Sequence, residues 1–112
     1  MPAYLIAQVD VADPERYRDY MRHTPRIVAE HGGRMVARGP SPLVLEGPPT
    51  AKRIVVIEFP STEHAQAFYD SPDYVRARAI RQEASTAQIV VVDGFPDADW
   101  QNALAASRLE SF

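Results

Sequence analysis

The sequence predicts an α+β fold: a four-stranded antiparallel sheet with its helices on one face, built in the order β-α-β-β-α-β. Three observations carry this prediction. Arg53-Ile54-Val55-Val56-Ile57-Glu58-Phe59 is a run of β-branched and aromatic residues closed by Pro60, which reads as a strand. That strand is apolar on both sides, with Ile54 and Val56 pointing one way and Val55, Ile57 and Phe59 the other, so both sides need cover. Helical periodicity within residues 1–94 supplies cover for only one sheet face.

The first strand is expected over Tyr4 to Val11. Leu5, Ala7, Val9 and Val11 form its apolar face, and Tyr4, Ile6, Gln8 and Asp10 a mixed one. Asp13-Pro14-Glu15 starts a helix, with Asp13 as cap, Pro14 at the first position and Glu15 favoured by the helix dipole. Tyr17, Tyr20, Met21, Thr24, Val28 and His31 recur at helical spacing and are expected to face the sheet. Pro25 predicts a bend or break inside this helix, because proline lacks the backbone donor. Gly32-Gly33 ends it.

A second strand follows over Arg34 to Arg38, with Met35 and Ala37 on one side and Arg34, Val36 and Arg38 on the other. Gly39-Pro40-Ser41-Pro42 breaks it, and Leu43 to Glu46 reads as a short extended return or an arm before the turn at Gly47-Pro48-Pro49-Thr50. The strand beginning at Arg53 is third. Ser61 caps the next helix, with Glu63 in its first turn and His64 where a capping box would place an acid or amide. Ala65, Phe68 and Tyr69 form its apolar face. Ser71-Pro72-Asp73 interrupts and restarts it. Val75 and Ala79 are expected to continue the stripe, and Arg76, Arg78 and Arg81 to be solvated. Gln88 to Asp93 forms the fourth strand. Right-handed crossovers place the first and third strands in the centre of the sheet.

After Gly94 the composition shifts, dividing a domain over residues 1–94 from an extension over 95–112. Phe95-Pro96-Asp97 leads into a stretch compatible with a short helix from about Ala98 to Leu109. Trp100 and Leu104 would share one edge of it. Two readings of this extension stand: a frayed tail, or an arm docked on its own subunit or a neighbour.

The chain has 112 residues, 46% hydrophobic and 24% charged, which suits one soluble domain with a single core. Its net charge of −3 comes from interspersed charges and points to no nucleic-acid partner. It contains no cysteine, which excludes disulfides, thiolate nucleophiles and zinc–sulfur sites. No apolar run reaches the ~20 residues that span a bilayer, so no membrane partner is expected. The first residues lack the basic region of a signal peptide, and a cytoplasmic location is the expectation.

The uncovered face would carry Ile6, Val36, Ile54, Val56 and part of the fourth strand, with Tyr4 beside them. Burying each aliphatic side chain is worth about 1.5–3 kcal/mol, against a net domain stability of about 5–15 kcal/mol. A homodimer joined face to face would cover these residues with an identical set. On the same face the predicted sheet order puts Asp10 and Arg38 toward one end and Arg34, Glu58 and Asp93 toward the other. These charges read either as structural ion pairs or as ligand-lining groups.

Ile6-Ala7-Gln8-Val9-Asp10-Val11 before Asp13-Pro14-Glu15, Gly32-Gly33-Arg34, Arg38-Gly39 and Leu45-Glu46-Gly47 follow one another in a familiar order. Val55 to Ser61, Phe68 to Tyr74 and Arg81 continue it. With these pieces the chain resembles the family called domain of unknown function 1330, within the dimeric α/β-barrel superfamily, from about Ala3 to Gly94. The resemblance implies a ferredoxin-like subunit whose sheet packs on that of a second subunit. It implies no activity, and the extension lies outside the usual pattern.

His23, His31 and His64 have no helical zinc spacing, and no nucleophile elbow or phosphate loop occurs, so no metal or cofactor is expected. His31 is the candidate general base, with interaction at its own helix C-terminus as the simpler reading. Tyr17, Tyr20, Tyr69 and Tyr74 either line an aromatic pocket or serve as core residues with partnered hydroxyls. Two functions from different classes follow. One is a non-enzymatic dimer that binds a small organic molecule, through Asp10, Tyr17, Tyr69 and Tyr74, or serves a structural role. The other, by analogy with the barrel superfamily, is a cofactor-independent isomerase or monooxygenase. There His31 would move protons, Arg38 would steady an anionic intermediate and Glu58 would orient a neighbour.

Overall fold

The elements fall in the order β1 (Ala3–Val11), α1 (Pro14–Glu30), β2 (Arg34–Gly39), β3 (Arg53–Phe59), α2 (Thr62–Asp70), α3 (Pro72–Ala84), β4 (Ser85–Asp93) and α4 (Asp97–Arg108). They are seen in a computed structural model that describes residues 1–110; residues 111–112 of the extension lie outside it. The four strands form one antiparallel sheet in the order β2-β3-β1-β4, so β1 and β3 are central as predicted.

The inner face is set by the register. Leu5 lies between Ile57 and Val91, and Ala7 between Val55 and Ile89. These residues meet the helices, where Phe59, Phe68 and Tyr74 are almost fully buried. Their rings stack in sequence, with centroids 5.2 Å apart between Phe59 and Phe68 and 4.4 Å between Phe68 and Tyr74. The outer face carries Tyr4, Ile6, Gln8, Ile54, Val56, Val90 and Val92. The Cα extents are 52 × 34 × 16 Å. The shortest dimension has room for one sheet and one layer of helices, so the outer face is bare.

Local signals start and stop the helices. The Asp13 side chain accepts from Arg16 N at 3.1 Å, Ser61 Oγ from His64 N at 3.1 Å, and Ser71 Oγ from Tyr74 N at 3.2 Å. Ser71 also donates to Phe68 O at 2.8 Å, so one hydroxyl closes α2 and opens α3. Gly32, at φ +77°, takes the left-handed turn that ends α1, and Gly33 N donates to Val28 O at 3.0 Å.

Five expectations are corrected. First, of the bend or break expected at Pro25, the break is overturned: α1 is one continuous helix through it. The Met21 carbonyl that proline leaves without its helical donor accepts a long bond of 3.4 Å from Thr24 Oγ1. Buried Thr24, Ile27 and Val28 hold the helix to the sheet on both sides of the proline. Second, the stripe of α3 is Tyr74, Ala77, Arg81 and Ala84; Val75 and Ala79 are exposed, and Arg81, expected in solvent, is only 5% exposed.

Third, Arg38 does not share the outer face with Arg34. The register of β2 on β3 shifts between Met35 and Ala37, leaving Val36 as an extra residue. This bulge turns Ala37 outward, opposite Val56, and Arg38 inward, opposite Val55. Fourth, Asp93 pairs with Ala3 on the inner face and accepts from Thr62 Oγ1 at 2.8 Å. Fifth, of the two readings of Leu43 to Glu46 the extended return is overturned: the segment forms no strand, and Leu43 and Leu45 are exposed as on an arm. The helix expected after Gly94 forms as α4, but buries none of its residues; Trp100 is 52% exposed.

Candidate functional site

A narrow cavity of about 30 Å³ lies between the inner face of the sheet and the helices. Its floor is aliphatic, made by Leu5, Ala7, Val9, Val55 and Ile57. Because α1 and α3 present aromatic residues at helical spacing, Tyr17, Tyr20 and Tyr74 form much of its roof. The Tyr20 and Tyr74 hydroxyls lie 2.8 Å apart and share one hydrogen bond. Tyr17 and Tyr20 have ring centroids 5.3 Å apart, and the Arg53 guanidinium lies 5.5 Å from the Tyr17 ring.

Two cations line this cavity, Arg38 from β2 and Arg81 from α3, and neither a carboxylate nor a histidine does. Arg38 is exposed and stands where the cavity meets solvent; Arg81 is buried. The Arg81 Nε is buried without a hydrogen-bond partner. Its guanidinium lies 6.0 Å from the Tyr20 ring, at the limit of a cation–π contact.

Burial raises the Tyr17 hydroxyl above its ordinary pKa, with Arg53 as the main opposing influence. Tyr20 is raised well above it, first by burial and then by Tyr74. Both hydroxyls are therefore protonated at neutral pH and serve as donors rather than bases. A raised folded-state pKa means that the unfolded chain loses its proton first. The stabilisation is complete below about pH 10, the unfolded value, and is lost as pH rises through the folded values. Denaturant midpoints are expected to fall above about pH 10, and less steeply in Tyr20→Phe. Urea titration across alkaline pH checks this, and equal slopes in both proteins would contradict it.

The residues singled out from the sequence are dispersed. Arg38, Tyr17 and Tyr74 meet at the cavity. His31 does not line it; its Nδ1 lies 2.9 Å from Ile27 O and its ring is edge-on to Phe68 at 6.0 Å. Glu58 is on the opposite sheet face, accepting from Tyr4 OH at 3.1 Å and Arg34 Nε at 3.3 Å. The bond to Glu58 is the chief reason the Tyr4 hydroxyl is raised from its ordinary pKa. Asp10 is exposed on that same face, opposite Thr86. Tyr69 lies in a shallow groove beside β4, with the Arg78 guanidinium 4.4 Å from its ring. His31, Arg38 and Glu58 thus occupy three separate places. Sequence reasoning missed Arg81, although its spacing from Tyr74 and Ala77 put it on the buried stripe. Among the described residues no cluster of three metal-ligating side chains occurs, and no helix is long and apolar enough to cross a membrane.

A βαββαβ subunit with both crossover helices on one sheet face and a cleft beneath them is a ferredoxin-like α+β protein. Residues 2–95 match the family described as Domain of unknown function (DUF1330), and the chain belongs to that family. Its fold is similar to that of a protein of unknown function from Rhodopseudomonas palustris, at 21% identity and a TM-score of 0.71, covering 85% of this chain and 83% of that one. A dimeric ferredoxin-like protein of unknown function from Jannaschia sp. CCS1 matches at 13% identity and a TM-score of 0.71, covering 84% of this chain and 100% of that one. The cofactor-independent oxygenase SnoaB from Streptomyces nogalater matches at 11% identity and a TM-score of 0.63, covering 85% of this chain and 94% of that one. No curated protein matches the sequence.

Proposed function

We propose that the protein binds a small organic molecule in the cavity beneath α1 and α3, as a homodimer joined through the outer faces of its sheets. The observation that carries the binding reading is the cavity itself: an aliphatic floor, a tyrosine roof and a few convergent polar groups are the composition of a small-molecule site. Tyr17, Tyr74 and Arg38 belong to that site, together with Tyr20 and Arg81. The bare apolar face supports the homodimer, as does the dimeric description of the Jannaschia protein. Two such subunits, sheet against sheet, would close a barrel with the helices outside.

The alternative, a cofactor-independent isomerase or monooxygenase, draws on the description of SnoaB as a cofactor-independent oxygenase. Proton abstraction needs a base within hydrogen-bond reach of the substrate. His31 and Glu58 lie away from the cavity, and Tyr17 and Tyr20 in its lining are raised rather than lowered in pKa. Binding is therefore the better supported function.

The test is a thermal-shift and NMR screen of the full chain against small aromatic and aliphatic molecules, neutral and charged. Binding is expected to raise Tm saturably and to move the resonances of Tyr17, Tyr20 and Tyr74. Shifts confined to surface residues, or none across the set, would overturn the reading. Mass spectrometry of each bound compound after incubation in air reads the alternative, and conversion would revive it.

A further inference from the structure

Among the described residues Arg81 is a buried charge without a counter-charge. Its side chain is 5% exposed and makes no ion pair among the described residues, and its Nε has no partner. The nearby hydroxyls of Tyr20 and Tyr74 are engaged with each other. A buried cation without a counter-charge is costly to keep, and water alone satisfies donors without neutralising them. The same cavity has a second arginine, Arg38, at its opening and no acid in its lining. Arg38 reaches this position only through the bulge at Val36. Both cations are thus turned toward one small, otherwise apolar space.

Resting on the ligand-binding reading of this cavity, we propose that its ligand is a small carboxylate, with the carboxylate against the Arg81 guanidinium. The planar guanidinium fork matches a carboxylate in two parallel hydrogen bonds. The volume, about 30 Å³, is the room of roughly two or three waters and suits a carboxylate head with a short apolar stem. A phosphate would set further charged oxygens against the aliphatic floor, where a carboxylate sets carbon. The aliphatic floor takes the stem, and Arg38 adds a second favourable charge where the anion enters.

Acetate and propionate are the probes, each compared with its neutral amide, acetamide and propionamide, at constant ionic strength. Affinities are read by NMR titration of the full chain. The carboxylates are expected to bind about ten- to a hundredfold tighter than the amides, the range a charge-assisted pair gives. In Arg81→Met most of that preference is expected to be lost, leaving the smaller part that Arg38 supplies, while the thermal stability of the unliganded protein is kept or raised, because an unanswered buried charge is gone. Arg81→Lys is expected to retain part of the preference. Equal binding of acids and amides would overturn the carboxylate inference and leave small-molecule binding intact. Absence of binding by all four at tens of millimolar, with Arg81→Met destabilised, would overturn both and mark Arg81 as a structural group.

Discussion

Ile6→Asp is expected to separate the proposed homodimer into single copies at micromolar concentration. Ile6 lies at the middle of the outer face, opposite Val56 on β3 and Val90 on β4. Tyr4 and Gln8, its neighbours on the same face of β1, pair with Val92 and Ile54 on the flanking strands. Val90 and Val92 remain 42% and 46% exposed in the single subunit. Covering the exposed remainder of such side chains stabilises association by about 1 kcal/mol each. A two-fold interface through this face would bring the patch against its own copy, so an aspartate at its centre would be buried twice without a cation. The expected loss is on the order of 3–5 kcal/mol, which raises the dissociation constant by roughly a hundred- to several-thousandfold.

Sedimentation velocity reads the outcome directly. The parent protein should run as two copies and Ile6→Asp as one, with a lower Tm. Arg18→Asp, on an exposed part of α1, should leave the assembly unchanged. A parent that runs as one well-folded copy, or an Ile6→Asp protein that stays paired, would remove the sheet face as the interface.

Most of the fold was legible because it is written in short-range chemistry. Asp13, Ser61 and Ser71 announced three helix starts, and each accepts the backbone bond that a cap provides. The βαββαβ order with right-handed crossovers put β3 in the centre of the sheet, where it lies. The candidate site was less legible, for two reasons. The bulge at Val36 has no glycine or proline to mark it, yet it moves Arg38 from one side of the sheet to the other. For Arg81, the residue type outweighed the spacing: an arginine suggests solvent, but its interval from Tyr74 and Ala77 placed it on the buried stripe. Ile27, which is 1% exposed, was missed on α1 because the stripe was read through Thr24 and Val28 around it. Glu58 was expected on the outer face and lies there, bonded to Tyr4 and Arg34.

The second large effect lies where α1 turns into β2. Phe59 is fully buried, and a methyl group built on Gly33 would come within 2.6 Å of its ring and 3.0 Å of Val28. Gly33 is not in the left-handed region, so its backbone would accept alanine; what excludes a side chain is the phenyl ring. Gly33→Ala is therefore expected to destabilise the protein by about 1–3 kcal/mol through overpacking. Phe59→Ala should cost about 3–5 kcal/mol, since it opens a cavity next to Phe68. The two changes should not add. In the Phe59→Ala background the ring that clashes is gone and the new methyl enters the space it left, so Gly33→Ala should there be neutral or stabilising. A double-mutant cycle by urea denaturation measures this coupling, expected at about 1–3 kcal/mol. Simple additivity would mean that the ring is not what keeps position 33 a glycine.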